Sequence, residues 1–229
     1  MISDTEKQRL ASLFLDRYLD DVQEAPTFHV IAGGVGSGKT SFRKKKLSEG
    51  VLPAETYLHD PDDVMLSLHG YQADMAEHND AAIAFDKWEL TARTEAENML
   101  DTALKHRLNI IYERTCGMPE VRDFLSTVKD SGYQLIMHVI HTDIDIAKQR
   151  AIAREAVEGR HIPPAIITER HHMLKSLWKD YCDIADQINL YNNSGDQAQF
   201  THVFEGRNNA PTIHAPELYD LFLKIPDAA

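Results

Sequence analysis

The stretch Phe28-His29-Val30-Ile31-Ala32-Gly33-Gly34-Val35-Gly36-Ser37-Gly38-Lys39-Thr40 decides the fold of this chain. Its first five residues are an apolar run typical of a buried strand, and residues 33–40 fit the pattern G-x-x-x-x-G-K-[ST]. Glycines at four of the first six positions of that pattern let successive backbone N–H groups turn inward, and a following helix adds its positive N-terminal end. The sequence therefore predicts a strand, a loop and a helix, with residues 33–40 around the polyphosphate of a nucleoside triphosphate.

Two side chains at the end of this loop have predicted roles. Lys39 would reach the β- and γ-phosphate oxygens as a mobile point charge, and the Thr40 hydroxyl would take one coordination position on Mg²⁺. An ordinary glycine-rich turn that precedes a lysine is the alternative. The agreement of strand, spacing and helix start favours the nucleotide site.

Composition and charge limit the class of protein. The chain has 229 residues, is 43% hydrophobic and shows no linker or repeat, so we expect a single domain over residues 1–229. Its formal charge of -12 disfavours binding to nucleic acid. Residues 1–25 carry charges throughout, which predicts neither a signal peptide nor a membrane span. Only Cys116 and Cys182 are present, and this suits a reducing cytoplasm.

Strand-like and helix-like segments alternate along the chain. The predicted strands are residues 28–32, 56–59, 108–112, 133–140 and 187–191. The predicted helices are residues 3–22, the loop's helix up to residue 47, and residues 80–106, 119–128, 143–157, 164–181 and 216–223. This order predicts an α/β fold, a three-layer α/β/α arrangement in which helices cover both faces of a parallel sheet. We expect an N-terminal helix (1–25), a core (26–195), a lid region (145–165) and a C-terminal packing segment (196–229).

Polar residues follow three of the strands. The phosphate loop follows the first, Asp60-Pro61-Asp62-Asp63 the second, and Glu113-Arg114-Thr115 the third. Because the carboxyl ends of parallel strands meet at one edge of the sheet, we expect these groups to converge there.

The acidic cluster supplies a candidate general base. A carboxylate near bound phosphate and metal can accept the proton of an acceptor hydroxyl, and Asp62 is our candidate for that role. Asp60 and Asp63 compete for it and are otherwise expected to contact the substrate. The alternative is a solvated turn in which Asp60 caps a helix that begins at Pro61.

Glu113 ends an otherwise apolar strand. It would orient the water shell of Mg²⁺ or accept hydrogen bonds from the substrate, beside Arg114 and Thr115. A glutamate at a sheet edge without such a role is the alternative.

Three arginines belong to the predicted lid region. Arg150 and Arg154 are four residues apart on one helix face, and Arg160 follows Gly159 in a turn. Their guanidinium groups would close over the transferred phosphoryl group, with Arg154 among the nucleotide-binding residues. The alternative is that they are solvated and pair with nearby glutamates.

Twelve histidines raise the question of a transition metal. Adjacent histidines such as His171 and His172 point in different directions on a helix, and the sequence contains no HExxH pattern or Cys/His ligand spacing. The sequence therefore predicts no such site.

The ordered set of motifs resembles the zeta-toxin family of P-loop small-molecule kinases from about residue 28 to residue 193. The motifs are the G-x-x-x-x-G-K-T loop, the Asp60–Asp63 cluster, Ile110-Ile111-Tyr112-Glu113-Arg114-Thr115, the segment from Arg150 to Pro163, and Leu190-Tyr191-Asn192-Asn193-Ser194. The resemblance implies an ATP- and Mg²⁺-dependent kinase that phosphorylates a sugar hydroxyl of UDP-N-acetylglucosamine. It also implies that Lys39 and Thr40 handle phosphate and metal, Asp62 is the base, Glu113 serves the substrate and metal, Arg150 and Arg160 are lid arginines, and Thr115 contacts substrate.

Two departures from the family pattern concern the acceptor. Arg114 stands where such toxins carry glycine, and Arg150 and Arg160 are only ten positions apart. The alternatives are therefore a kinase of another hydroxyl, such as a nucleoside or dinucleotide, and a nucleotide-dependent switch that binds a protein. The resemblance also implies a small antitoxin partner that packs over the nucleotide site, although the helix over residues 3–22 could equally be an integral cover for the sheet.

Overall fold

The structure is a computed structural model that describes residues 2–78, 80–158, 162–195, 199–207 and 210–227. Within those residues a seven-stranded sheet has the order β2-β3-β1-β4-β5-β6-β7. The strands are β1 (Thr27–Gly33), β2 (Tyr57–His59), β3 (Ile110–Arg114), β4 (Gln134–His141), β5 (Gln187–Asn192), β6 (Thr201–Arg207) and β7 (Ala210–Ile213). The helices are α1 (Asp4–Phe14), α2 (Lys39–Ser48), α3 (Pro61–Ser67), α4 (His69–His78), α5 (Ala81–Lys105), α6 (Pro119–Asp130), α7 (Ile144–Glu158), α8 (Pro164–Ser176), α9 (Trp178–Ile184) and α10 (Pro216–Leu223).

The sheet confirms the predicted α/β fold. Strands β1 to β5 pair in parallel, whereas β6 and β7 extend the sheet as an antiparallel edge. The sequence did not predict these two edge strands. In β6 the neighbouring residues Val203 and Phe204 are both buried, so the strand lacks the strict alternation by which a half-buried strand is recognised.

Two predicted helices differ from the structure by more than two residues. Ser3 caps α1 through its Oγ, which accepts the Glu6 amide at 3.2 Å, but α1 ends at Phe14 and a 3-10 turn over Asp16–Tyr18 follows. The helix predicted over residues 164–181 divides at Leu177 into α8 and α9. The break coincides with packing of the Trp178 ring against a cluster of aromatic rings on β6 and α10.

Helix α2 is held against the sheet by one aromatic side chain. Phe42 is fully buried, and its ring centroid lies 4.8 Å from that of Tyr191 on β5 and 5.2 Å from that of Phe200. Complete burial of such a side chain contributes about 1.5–3 kcal/mol. This packing fixes the start of α2, which follows the phosphate loop directly. Among the described residues, no helix has the length and apolar character needed to cross a membrane.

Candidate active site

The phosphate loop is closed by contacts that come from distant strands. Gly38 has φ +90°, in the left-handed region that favours glycine, and a Cβ there would lie 2.5 Å from Nδ2 of Asn193. That Nδ2 donates to the Ser37 carbonyl at 2.8 Å, and the Thr142 hydroxyl donates to the same carbonyl at 3.2 Å. The ends of β4 and β5 therefore fix the bend of the loop.

His171 on α8 covers the other side of the loop. A Cβ on Gly34 would lie 2.2 to 2.7 Å from three atoms of its ring, so only glycine allows this approach. Its Nε2 lies 3.0 Å from the Val35 carbonyl, and it must carry the ring proton to donate there. Burial lowers the pKa of His171, which favours the neutral ring.

Lys39 lies within the loop. Its Nζ donates to the carbonyls of Gly33 at 3.0 Å and Gly34 at 3.1 Å. Burial is the main influence on the Lys39 ammonium and lowers its pKa; the Glu113 and Asp62 carboxylates act in the opposite direction, and the Arg154 guanidinium adds to the lowering. A buried cation of this kind is stabilised by an anionic ligand such as phosphate, so the residues present fit a polyphosphate.

Glu113 is the centre of a buried charge network beside the loop. Its Oε1 accepts from the Thr40 hydroxyl at 2.7 Å, and its Oε2 accepts from Nε of Arg43 at 2.8 Å. Arg43 also donates from its NH2 nitrogen to Oδ2 of Asp60 at 3.3 Å. The side chains of Asp60, Arg43 and Glu113 are only 17%, 9% and 11% exposed. The network ties α2 to the carboxyl ends of β2 and β3, and it groups the hard oxygen atoms that Mg²⁺ prefers.

The three acids after β2 lie in different surroundings. Asp60 caps α3: its Oδ1 accepts the amides of Asp62 at 3.2 Å and Asp63 at 3.4 Å, and Pro61 is the first helical residue. The cap that the sequence offered as an alternative is thus present. Burial raises the pKa of the Asp60 carboxyl to about 6, and the carboxylates of Asp63 and Glu113 add to the rise, against the opposing charge of Arg43.

Asp62 and Asp63 are both exposed in the first turn of α3. Asp62 acts electrostatically on Lys39, whereas Asp63 lines a cavity of about 390 Å³ beside the N-terminal segment. A cavity of this size is within the range of small-molecule pockets. Its walls combine apolar and charged side chains: Leu13, Phe14, Arg17, Tyr18, Leu58, Asp60, Asp63, Leu66 and Ser67.

The residues after Glu113 are held by neighbouring helices. Arg114 pairs with Glu97 of α5, and its guanidinium lies 5.6 Å from the ring of Tyr112. Thr115 is half-buried and precedes Cys116, whose carbonyl accepts from the Tyr181 hydroxyl at 2.8 Å. Burial raises the pKa of the Cys116 thiol to about 12, so this cysteine is a packed residue and not a nucleophile.

Two of the three predicted lid arginines lie within the described residues. Arg150 on α7 donates to the Gly195 carbonyl at 2.8 Å, next to the β5 loop that supports Ser37. Arg154 lies one turn further along α7, exposed but close enough to influence Lys39. Arg160 and its neighbours Gly159 and His161 lie outside the described residues.

Three residues at this site were not predicted from the sequence or were given no role there. Arg43 lies four residues after Lys39, and this spacing on one helix face was the available signal. Asn193 belongs to a recognised motif, but its contact with Ser37 required the sheet order. No local pattern indicated that His171 would reach the phosphate loop.

The comparisons with known proteins agree with the geometry of the phosphate loop. The family model described as zeta toxin matches residues 15–202, which is most of the chain. Among curated protein sequences there is no significant match.

Solved structures share the fold at low identity. The PezAT chromosomal toxin-antitoxin system of the human pathogen Streptococcus pneumoniae is 18% identical with a TM-score of 0.70, and the superposition covers 97% of this chain and 88% of that chain. The complex AvrRxo1-ORF1:AvrRxo1-ORF2 with sulphate ions is 14% identical with a TM-score of 0.70, covering 96% and 70%. The same complex with ATP gives 14% and 0.70, covering 96% and 69%. The family match extends over the phosphate loop and Glu113 and supports an ATP-dependent phosphotransferase, and the chain belongs to the zeta toxin family.

Proposed function

We propose that the protein transfers the γ-phosphoryl group of ATP to a hydroxyl of a small molecule, most readily a nucleotide sugar such as UDP-N-acetylglucosamine. The observation that carries the proposal is the position of Glu113, which accepts from Thr40 and Arg43 beside the phosphate loop, while Arg43 also donates to Asp60. A phosphate site, a metal-ligand group and an acidic cluster are the parts that phosphoryl transfer needs.

The loop residues 33–40 would hold the phosphates. Lys39 would exchange its bonds to the Gly33 and Gly34 carbonyls for bonds to phosphate oxygens, which would restore a countercharge to a buried ammonium. His171 and Asn193 would keep the loop in its bent form during this exchange. We expect both to act as positioning residues.

Thr40 and Glu113 would hold Mg²⁺, Glu113 through a water molecule. Their oxygen atoms are already 2.7 Å apart, and both belong to the hard donor class that the ion takes. When bound, Mg²⁺ neutralises charge on the phosphate oxygens. Arg43 would keep Glu113 in place through its Nε contact.

Asp62 would accept the proton of the acceptor hydroxyl. As that proton leaves, the acceptor oxygen bonds to the γ-phosphorus, and the bond from the γ-phosphorus to the bridging oxygen breaks to release ADP. Asp60 is less suited to this role because both of its oxygens already accept hydrogen bonds. Arg150, Arg154 and Arg160 would stabilise charge on the transferring group as a closing lid.

The acceptor would lie on the side of the acidic cluster. The 390 Å³ cavity shares the Asp60 and Asp63 wall with that cluster, and its apolar surfaces suit the faces of a sugar or base. Arg114 and Thr115 would border the acceptor from the end of β3. Arg114 is the residue we expect to adapt the pocket, since it brings a cation to this edge.

We also propose a small antitoxin protein as a partner, covering the nucleotide site in the cytoplasm. Support comes from the fold shared with the PezAT toxin-antitoxin system. A complex of this chain with a small protein encoded beside its gene, in which ATP binding is blocked, would support this partner. ATP binding that is unaffected in the complex would contradict it.

The proposed activity can be tested with purified protein, ATP, Mg²⁺ and a panel of nucleotide sugars, nucleosides and dinucleotides. We expect one nucleotide sugar to gain the mass of one phosphoryl group, and Lys39→Met to abolish the product. Transfer only to a nucleoside or dinucleotide would show that this molecule, and not a nucleotide sugar, is the acceptor. ATP binding without transfer to any acceptor, together with nucleotide-dependent binding of a protein, would contradict the kinase proposal. It would indicate a nucleotide-dependent switch instead.

A further inference from the structure

The edge formed by β6 and β7 carries a cluster of metal-ligating side chains that the proposed kinase chemistry does not use. His202, Glu205 and His214 each offer one ligand atom, and these atoms lie within 4.8 Å of one another. The Nε2 atom of His214 is 3.8 Å from Oε2 of Glu205. The three residues come from β6 and from the residue that follows β7.

A β-bulge places two of these side chains on one face. In a regular strand, residues three apart point to opposite faces of the sheet. The pairing of β5 with β6 shifts, because Leu190 pairs with Phe204 but Tyr191 pairs with His202, so Val203 is an extra residue. The extra residue restores a common face for His202 and Glu205. The Val203 carbonyl then accepts the His214 amide at 2.9 Å, which brings the third side chain to the cluster.

Packing holds the His202 ring but leaves one of its nitrogens unpaired. The ring stacks on Tyr191 at a centroid distance of 4.8 Å, and the His214 ring lies 4.4 Å away. The Nε2 atom of His202 is buried and has no hydrogen-bond partner in the part of the chain that the structure describes. A buried polar atom of this kind is costly without a partner, and a metal ion would supply one.

We propose that His202, Glu205 and His214 bind one Zn²⁺ ion. Two imidazole nitrogens and one carboxylate oxygen are a ligand set that Zn²⁺ takes, with a water molecule in the fourth position. Zinc–nitrogen bonds of about 2.0–2.1 Å require ligand atoms about 3.3 Å apart in a tetrahedron, so the side chains must close inward. His214 can make most of this movement because its side chain is 38% exposed.

The surroundings are compatible with a cation. The Glu205 carboxylate has long contacts with Nε2 of Gln187, at 3.4 Å, and with Nε2 of His214, at 3.8 Å, so it can turn towards the ion. The Lys46 ammonium lies 5.9 Å from the Tyr191 ring, on which His202 stacks, and it is paired with Glu49 at 2.7 Å. Zn²⁺ bound here would join β6 to the end of β7 and stabilise this edge of the sheet.

The proposal can be tested on untagged full-length protein that has been stripped of metal with a chelator. Titration with Zn²⁺ alone should show one high-affinity equivalent, and Zn²⁺ should raise the Tm. His214→Gln should weaken that binding by at least about 10–100-fold, since even loss of an outer-shell contact has this effect. His106→Gln is the matched control, because His106 is an exposed histidine at the end of α5, outside the proposed site. This variant should bind Zn²⁺ as the native protein does.

Co²⁺ supplies a second readout that does not depend on stability. The native protein and His106→Gln should give the intense visible absorption of four-coordinate Co²⁺, and Glu205→Gln and His214→Gln should lose it. The site would be ruled out if His214→Gln and His106→Gln bound Zn²⁺ equally. A weak octahedral Co²⁺ spectrum in the native protein would also overturn it. Neither readout requires kinase activity.

Discussion

The phosphate-loop end and the β6–β7 edge both collect ionisable side chains, but they hold them differently. At the loop, Arg43 binds Glu113 at 2.8 Å and Asp60 at 3.3 Å, and all three side chains are nearly buried. At the edge, His202 and His214 are held by ring packing, and the ligand atoms remain up to 4.8 Å apart. The loop network is therefore complete by itself, whereas the edge cluster gains a common partner only if an ion binds.

This difference predicts unequal coupling to the fold. Removing one member of a buried charge network leaves the others without compensation, which costs more than removing an exposed ring. The loop end should thus be sensitive to single substitutions in the absence of any ligand. The edge should be sensitive mainly when metal is present.

The largest effect is expected for Arg43→Met. It leaves the carboxylates of Glu113 and Asp60 buried without their cation, so the free energy of unfolding should fall by about 3–5 kcal/mol. Urea unfolding monitored by circular dichroism measures this. Lys44→Met, an exposed position on the same helix, is the control and should stay within about 0.5 kcal/mol. Equal losses in the two variants would mean that the network contributes little.

The next largest effect is a pH-dependent difference in stability between the native protein and Asp60→Asn. The folded pKa of Asp60, about 6, exceeds its ordinary value of 3.8, so its contribution to stability is complete below about pH 4 and is lost as the pH rises through 6. Between pH 4 and 7 the native protein should therefore lose up to about 3 kcal/mol relative to Asp60→Asn. Unfolding curves of both proteins across that range measure the difference. Parallel stability profiles would show that Asp60 titrates normally.

The two regions also differ in how far the sequence predicted them. The phosphate loop is encoded by consecutive residues, and Asp62 and Glu113 could be placed because each lies near the carboxyl end of a strand. Arg43, Asn193 and His171 act there through contacts between distant elements, and only Arg43 had a spacing signal. At the edge, His202 and Glu205 have the wrong spacing for one face of a regular strand. The bulge at Val203 changes this, and it depends on pairing with β5 that the sequence pattern did not show.

Asp62→Asn tests the chemical role of the loop end. We expect it to lower turnover by about 10²-fold or more while ATP affinity is kept, since general base catalysis is usually of that order. Asp101→Asn is the control, because Asp101 is an exposed carboxylate on α5 outside the residues assigned to the site. Initial rates at saturating ATP and a nucleotide binding assay separate the two effects. A larger loss of turnover in Asp63→Asn would transfer the base to that residue.

The smallest effect is expected for His214→Gln in metal-free protein. The ring is 38% exposed, and its backbone contact with Val203 is retained in the variant, so the free energy of unfolding should change by no more than about 0.5 kcal/mol. Urea unfolding in the presence of a chelator measures this, and Arg43→Met in the same buffer gives the scale. A loss close to that of Arg43→Met would show that the His214 ring supports the edge by packing alone. In that case the two regions would be coupled to the fold to the same degree, and the contrast between them would disappear.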